Sequence, residues 1–142
     1  MATVAAAGDA RRVCVWRGSR DLVFEDARCA PAPSGVSSFG ASLAAGDLEG
    51  DGADEVVASG SAGGVTSLYV IRLGEAGVEI GPAFAPGLGA ALSTVWPGRP
   101  GKARIAATAD DGSRIVILEG VEPRQSIPRP SPVVRDFGRV LR

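Results

Sequence analysis

The chain has 142 residues and a mass of 14.3 kDa, the size of one domain with a core of its own. Its 15 basic and 16 acidic residues nearly cancel, which removes the basic excess that non-specific nucleic-acid binding needs. It has no histidine, so a Ser-His-Asp triad and a histidine metal site are excluded, and its 20 glycines and 10 prolines call for many short elements joined by tight turns.

No stretch approaches the ~20 apolar residues of a membrane span. The small apolar start, Met1 to Ala7, is interrupted by Asp9, Arg11 and Arg12 and does not read as a secretory signal. The elements that follow repeat. Phe39, Leu88 and Phe137 stand 49 residues apart, each opening a similar five-residue run. Val56-Val57-Ala58 matches Ile105-Ala106-Ala107 in the same register, and Leu68 to Ile71 matches Ile115 to Leu118 after a two-residue slip. The chain start joins late in the pattern, with Val4-Ala5-Ala6 resembling Ile105-Ala106-Ala107 and Val13 to Trp16 resembling Ile115 to Leu118.

In chain order, Val4 to Ala6 and Val13 to Trp16 read as strands, followed by the run Leu22 to Phe24. Pairing Leu22 to Phe24 with Val13 to Trp16 about Gly18 to Arg20 sets Cys14 opposite Phe24 and leaves Cys29 about 15 Å further on at strand rise. A disulfide needs Cα atoms within about 7 Å, so free thiols are expected. Trp16, at the position of Leu118, is expected in the core, although an aromatic can also stack on a sugar. The central repeat supplies four runs: Ala41 to Ala45, Glu55 to Ser59, Thr66 to Leu73 and Gly77 to Ile80. They are too short for helices and show little polar alternation, so both faces of each sheet should be covered. Asp110-Asp111-Gly112 reads as a hairpin turn of the next repeat, and the Pro-rich stretch Pro123 to Pro132 as an irregular outer edge in place of its fourth strand. Four strands recurring at this period are the signature of a β-propeller blade. The expected architecture is all-β and a single unit: a partial blade at 1–38, a complete blade at 39–87, a degenerate blade at 88–136 and an inner strand at 137–142. Three blades fall below the four to eight of usual rings. The surplus strand, Phe137 to Arg142, matches the strand missing from the first blade. The expectation is a homodimer in which each chain completes the other's ring of six, with a fragment of a longer propeller as the other possibility.

The chemistry concentrates in Asp47-Leu48-Glu49-Gly50-Asp51-Gly52-Ala53-Asp54-Glu55. Acidic residues occupy positions 1, 3, 5 and 9 of this loop, with glycine at 6. Calcium takes six to eight oxygen ligands. Alternate positions in a tight loop direct carboxylates inward, and the Ala53 carbonyl can add another oxygen. Asp54 would then point away. The bland alternative is a solvated acidic turn between two strands.

Phe39-Gly40, Ser42-Leu43-Ala44, the acidic loop and Val56-Val57-Ala58-Ser59-Gly60 together resemble the FG-GAP repeat, which builds the propeller of integrin α chains and of many bacterial surface proteins. The resemblance implies a propeller blade with calcium in the loop between its first two strands. Carried onto this sequence, the ligands are Asp47, Glu49, Asp51 and Glu55, with Ala53 through its carbonyl. The glutamates depart from the shorter Asp or Asn of the family, and Ala58-Ser59-Gly60 stands where the family carries Gly-Ala-Pro. In the third repeat the same register reads Trp96-Pro97-Gly98-Arg99-Pro100-Gly101-Lys102-Ala103-Arg104. Arg99, Lys102 and Arg104 make this loop basic, either a degenerate loop or a site for an anion or acidic partner, and Trp96 could stack a sugar. No catalytic constellation is present, and the chain is not expected to be an enzyme. The functional expectation is a calcium-binding adhesion or interaction module with a protein or glycan ligand, outside the cell, at its surface or in the periplasm. The alternative is a carbohydrate-binding propeller lectin.

Overall fold

The structure, a computed structural model, describes residues 3–8, 11–18, 23–95 and 101–129. The described residues are all-β, and among them no helix is long and apolar enough to cross a membrane. Eleven strands form three antiparallel sheets, none of them closed. The first sheet is β1 (Thr3–Gly8), β2 (Arg12–Gly18) and β3 (Arg28–Pro31). The middle sheet is β4 (Leu43–Gly46), β5 (Glu55–Ala62), β6 (Val65–Leu73) and β7 (Val78–Ile80). The third is β8 (Leu88–Val95), β9 (Arg104–Ala109), β10 (Arg114–Glu119) and β11 (Glu122–Pro128).

Within each sheet the strands run in sequence order, each antiparallel to the one before it. Gly63 and Gly64 join β5 to β6 with φ of 59° and 82°, the backbone that a two-residue hairpin turn requires of both residues. Asp110 and Asp111 do turn the chain between β9 and β10, as the sequence suggests. The Asp111 carboxylate accepts the Ser113 N–H at 2.8 Å, and that of Asp110 reaches the Thr66 N–H at 3.0 Å across to the middle sheet. The repeat register reappears in the pairing. Val56 faces Ile71, and Ile105, 49 residues on, faces Leu118; Ala58 faces Tyr69 as Ala107 faces Val116.

The middle sheet is covered on both faces. Val56, Ala58, Tyr69 and Ile71 pack with Val13 and Val15 of the first sheet and with Phe39. Val57, Leu68 and Val70 pack with Ile105, Ala107, Val116 and Leu118 of the third. Alternate residues thus serve two cores, which explains the apolar run Val56-Val57-Ala58. Polar groups hold neighbouring sheets together. The Arg17 guanidinium donates to the Leu73 carbonyl at 3.2 Å, and that of Arg28 to the Gly74 carbonyl at 3.1 Å. On the other side the Leu92 N–H donates to the Ser42 hydroxyl at 2.8 Å, and the Thr94 hydroxyl to the Ala45 carbonyl at 2.6 Å.

Three sequence expectations are corrected. Cys14 and Cys29 are not free thiols; they form a disulfide. Phe24 bridges to Gly18, and the partner of β2 on that side is the later segment β3, which sets Cys14 directly opposite Cys29. The Pro-rich stretch is not irregular throughout: Glu122–Pro128 is a strand on the sheet edge, where a proline lacking an N–H costs no ladder bond if it faces outward. A register shift between Ile117 and Leu118 accommodates it. Trp16 is not in the core; it is half-buried, on the face of β2 opposite Val13 and Val15. The expected strand at Phe137 to Arg142 lies outside the described residues.

Candidate functional site

The loop of residues 47–54 joins β4 to β5 and is tied down at both ends. Leu48 is buried against the middle and third sheets. Its N–H donates to the Glu55 carboxylate at 2.8 Å, and the Asp47 carbonyl accepts the Ala103 N–H at 2.6 Å. Asp47 organises the turn itself. One carboxylate oxygen, Oδ1, accepts the N–H groups of Gly50 and Asp51, and Oδ2 accepts that of Gly52 at 2.8 Å. This closure needs left-handed backbone at Gly50 and Gly52, whose φ values are 80° and 89°, a region open to glycine at no steric cost. The Asp51 carboxylate in turn accepts the Ala53 N–H at 2.9 Å.

Glu49, Asp51, Ala53, Asp54 and Glu55 line one cavity of about 200 Å³ between this loop and the first sheet, with Arg17 and Arg72 on its wall. Asp47 stays outside it, on the loop backbone. Glu49 is ion-paired with Arg72 of β6. Both side chains are substantially exposed, so the pair contributes little to stability and is easily exchanged. As they lie, no three carboxylates among the described residues stand close enough to hold a metal ion. The side chains on this loop offer only oxygen atoms, the donor type that hard cations take, and the loop is curled by Asp47. A carboxylate offers about four acceptor positions. The backbone N–H bonds above use three of Asp47's, one of Asp51's and one of Glu55's.

Two carboxyls at this loop are raised above their ordinary values. Burial pushes the Glu55 carboxyl above its ordinary 4.5; the charges of Glu49 and Asp51 add to this, while the Leu48 N–H and the Arg72 guanidinium oppose it. Asp54, which the sequence reading turned away from the loop, is half-buried in the same cavity. Burial, then the charge of Asp47, raises it above 3.8. A carboxyl raised on folding holds its proton more tightly folded than unfolded. Its stabilising contribution is therefore full below pH 4.5 and is lost as pH rises through the raised value. In metal-free buffer the stability of the parent relative to Glu55→Gln should increase as pH is lowered from neutral toward 4.5. Urea melts across that range check this, and parallel pH profiles for the two proteins would contradict it.

Of the basic loop in the third repeat, Trp96 to Pro100 lie outside the described residues. Arg104 is paired with Glu119 at 3.1 Å, across the strand pair β9–β10. Lys102 lies beside the acidic loop, its Cγ 3.5 Å from where a Cβ on Gly50 would stand. Sequence reasoning missed two participants, Arg72 and Asp54. Arg72 arrives from a strand 23 residues after Glu49, and no local spacing announces it. No family model, characterised protein or solved structure matches this chain.

Proposed function

We propose that this chain is a calcium-binding unit of FG-GAP type, used as a structural and adhesion-type interaction module in an oxidising compartment. The observation that carries the reading is the Asp47 turn. One carboxylate gathers the N–H groups of Gly50, Asp51 and Gly52, in a loop whose remaining acids occupy ligand spacing. Asp47, Asp51, Glu55 and the Ala53 carbonyl would hold the cation, with Glu49 joining on release from Arg72. The bound cation would supply positive charge to carboxyls that burial and mutual repulsion now raise. The role proposed is structural: the loop lies between β4 and β5, and Leu48 fixes it to the core. The 49-residue register and the blade-like meanders support the propeller reading.

The Cys14–Cys29 bridge supports the compartment, because disulfides persist where the surroundings are oxidising. Extracellular calcium modules bind with Kd on the order of 10⁻⁴ to 10⁻³ M, which suits millimolar calcium outside the cell. Thermal melts with millimolar calcium and with chelator test the reading. Millimolar calcium is about a one- to tenfold excess over such a Kd, so the parent should gain about 0.4–1.4 kcal/mol. Asp51→Ala should lose most of that gain while folding normally in chelator. Identical parent melts in the two conditions would overturn the proposal.

A further inference from the structure

Both internal sheet contacts are made the same way round. The middle sheet turns Val56, Ala58, Tyr69 and Ile71 toward the first sheet. The third sheet turns Ile105, Ala107, Val116 and Leu118 toward the middle one, and these are the same repeat positions. Each sheet therefore presents its front to the back of the sheet before it. Among the described residues, two sheet faces of the stack meet no other sheet, and they are unlike: one is a back, the other a front.

The back of the third sheet has the composition of a buried face. Strand pairing sets Ser93, Ala106 and Ile117 in one row, and Thr108, Ile115 and Ile127 in the next. Ala106, Ile115 and Ile117 occupy the repeat positions of Val57, Leu68 and Val70, all buried on the middle sheet. Ile115 is 42% exposed, Ile127 43% and Val95, on the same face, 38%. Arg104 and Glu119 pair across the Val95 end and give the patch a charged rim. The front of the first sheet carries half-buried Trp16 beside the Cys14–Cys29 bridge.

We propose that the back of the third sheet docks on the front of the first sheet of a second copy of this chain, by the same front-to-back contact the chain makes twice internally. The argument for a second copy is continuity: among the described residues the chain carries both halves of one more contact of the kind it already makes twice. The contact is heterologous, and two copies can satisfy it reciprocally and close. Such a pair holds six sheets, within the range of closed propellers. The inference does not depend on the metal site.

Light scattering at micromolar concentrations should give about twice the chain mass of 14.3 kDa. Ile115→Glu damages only the third-sheet face and Trp16→Arg only the first-sheet face. Each variant alone should be a folded monomer, and mixing the two should restore a two-chain species, because one undamaged face of each kind remains. Ile127→Glu and Trp16→Gln place milder changes on the same two faces and take over if a variant lacks a cooperative melt. A monomeric parent would overturn the proposal. So would a pair that Ile115→Glu disrupts and Trp16→Arg leaves intact, since that pattern marks a back-to-back contact.

Discussion

Phe39→Ala is expected to destabilise the fold by about 3–5 kcal/mol, the range for truncating a buried aromatic in a core that cannot collapse around the hole. Phe39 is 0% exposed and packs edge-on against Tyr69, with ring centroids 5.6 Å apart and planes at 80°. That pair geometry adds about 0.5–1.5 kcal/mol beyond area burial. The surroundings cannot move in. A Cβ on Gly60 would stand 3.2 Å from the Phe39 ring and 2.6 Å from the Val36 side chain, so the backbone of β5 already lies against this cluster. The ring belongs to the core between the first and middle sheets, and its loss should loosen both. Urea unfolding should show a large fall in midpoint at an unchanged slope. A loss under about 1 kcal/mol would show that Phe39 does not anchor this core.

Opening the Cys14–Cys29 bridge should cost about 3 kcal/mol, the chain-entropy value for a loop of this length. The bridge closes 15 residues between β2 and β3. Strand β3 has only four residues, but Arg28 on it reaches the Gly74 and Glu75 carbonyls of the middle sheet. Reduction should therefore free the edge of the first sheet and weaken its hold on the middle sheet. Parallel melts with and without reductant should differ by this amount in the parent and coincide in the Cys14→Ser/Cys29→Ser double variant. Thiol titration of denatured, unreduced protein should find none. Two titratable thiols, or a parent insensitive to reductant, would contradict the bridge.

What the sequence made legible is what repeats. A 49-residue spacing carries strand register from one sheet to the next, so the pairing of Ile105 with Leu118 follows from that of Val56 with Ile71. The continuous run Val56-Val57-Ala58 announces a strand covered on both faces, and it is. What failed depended on contacts distant in sequence. Cys14 meets Cys29 because β2 pairs with β3 rather than with the nearer apolar run ending at Phe24, which is the more obvious partner from the sequence. Strand β11 was hidden by Pro123 and Pro128, which an edge tolerates and a central strand does not. Trp16 sits at a core position of the repeat, but its sheet is at the end of the stack, and no local signal distinguishes an end from a middle.

The acidic loop was readable as a motif, and its backbone has the curled form that the glycines suggest. Its side chains were less readable. Glu49 is held by Arg72 and Asp54 shares the cavity, both through residues the loop sequence does not contain or ranks low. The spacing rule treats a loop as isolated, whereas this one is pinned between two sheets by Leu48 and Ala103.

The most direct test of the calcium-binding proposal is a calorimetric titration of the metal-free protein with calcium, repeated with Asp51→Ala. The account predicts one ion per chain, a Kd on the order of 10⁻⁴ to 10⁻³ M, and loss of binding in the variant. The absence of saturable binding at millimolar calcium, or binding that Asp51→Ala leaves unchanged, would contradict it.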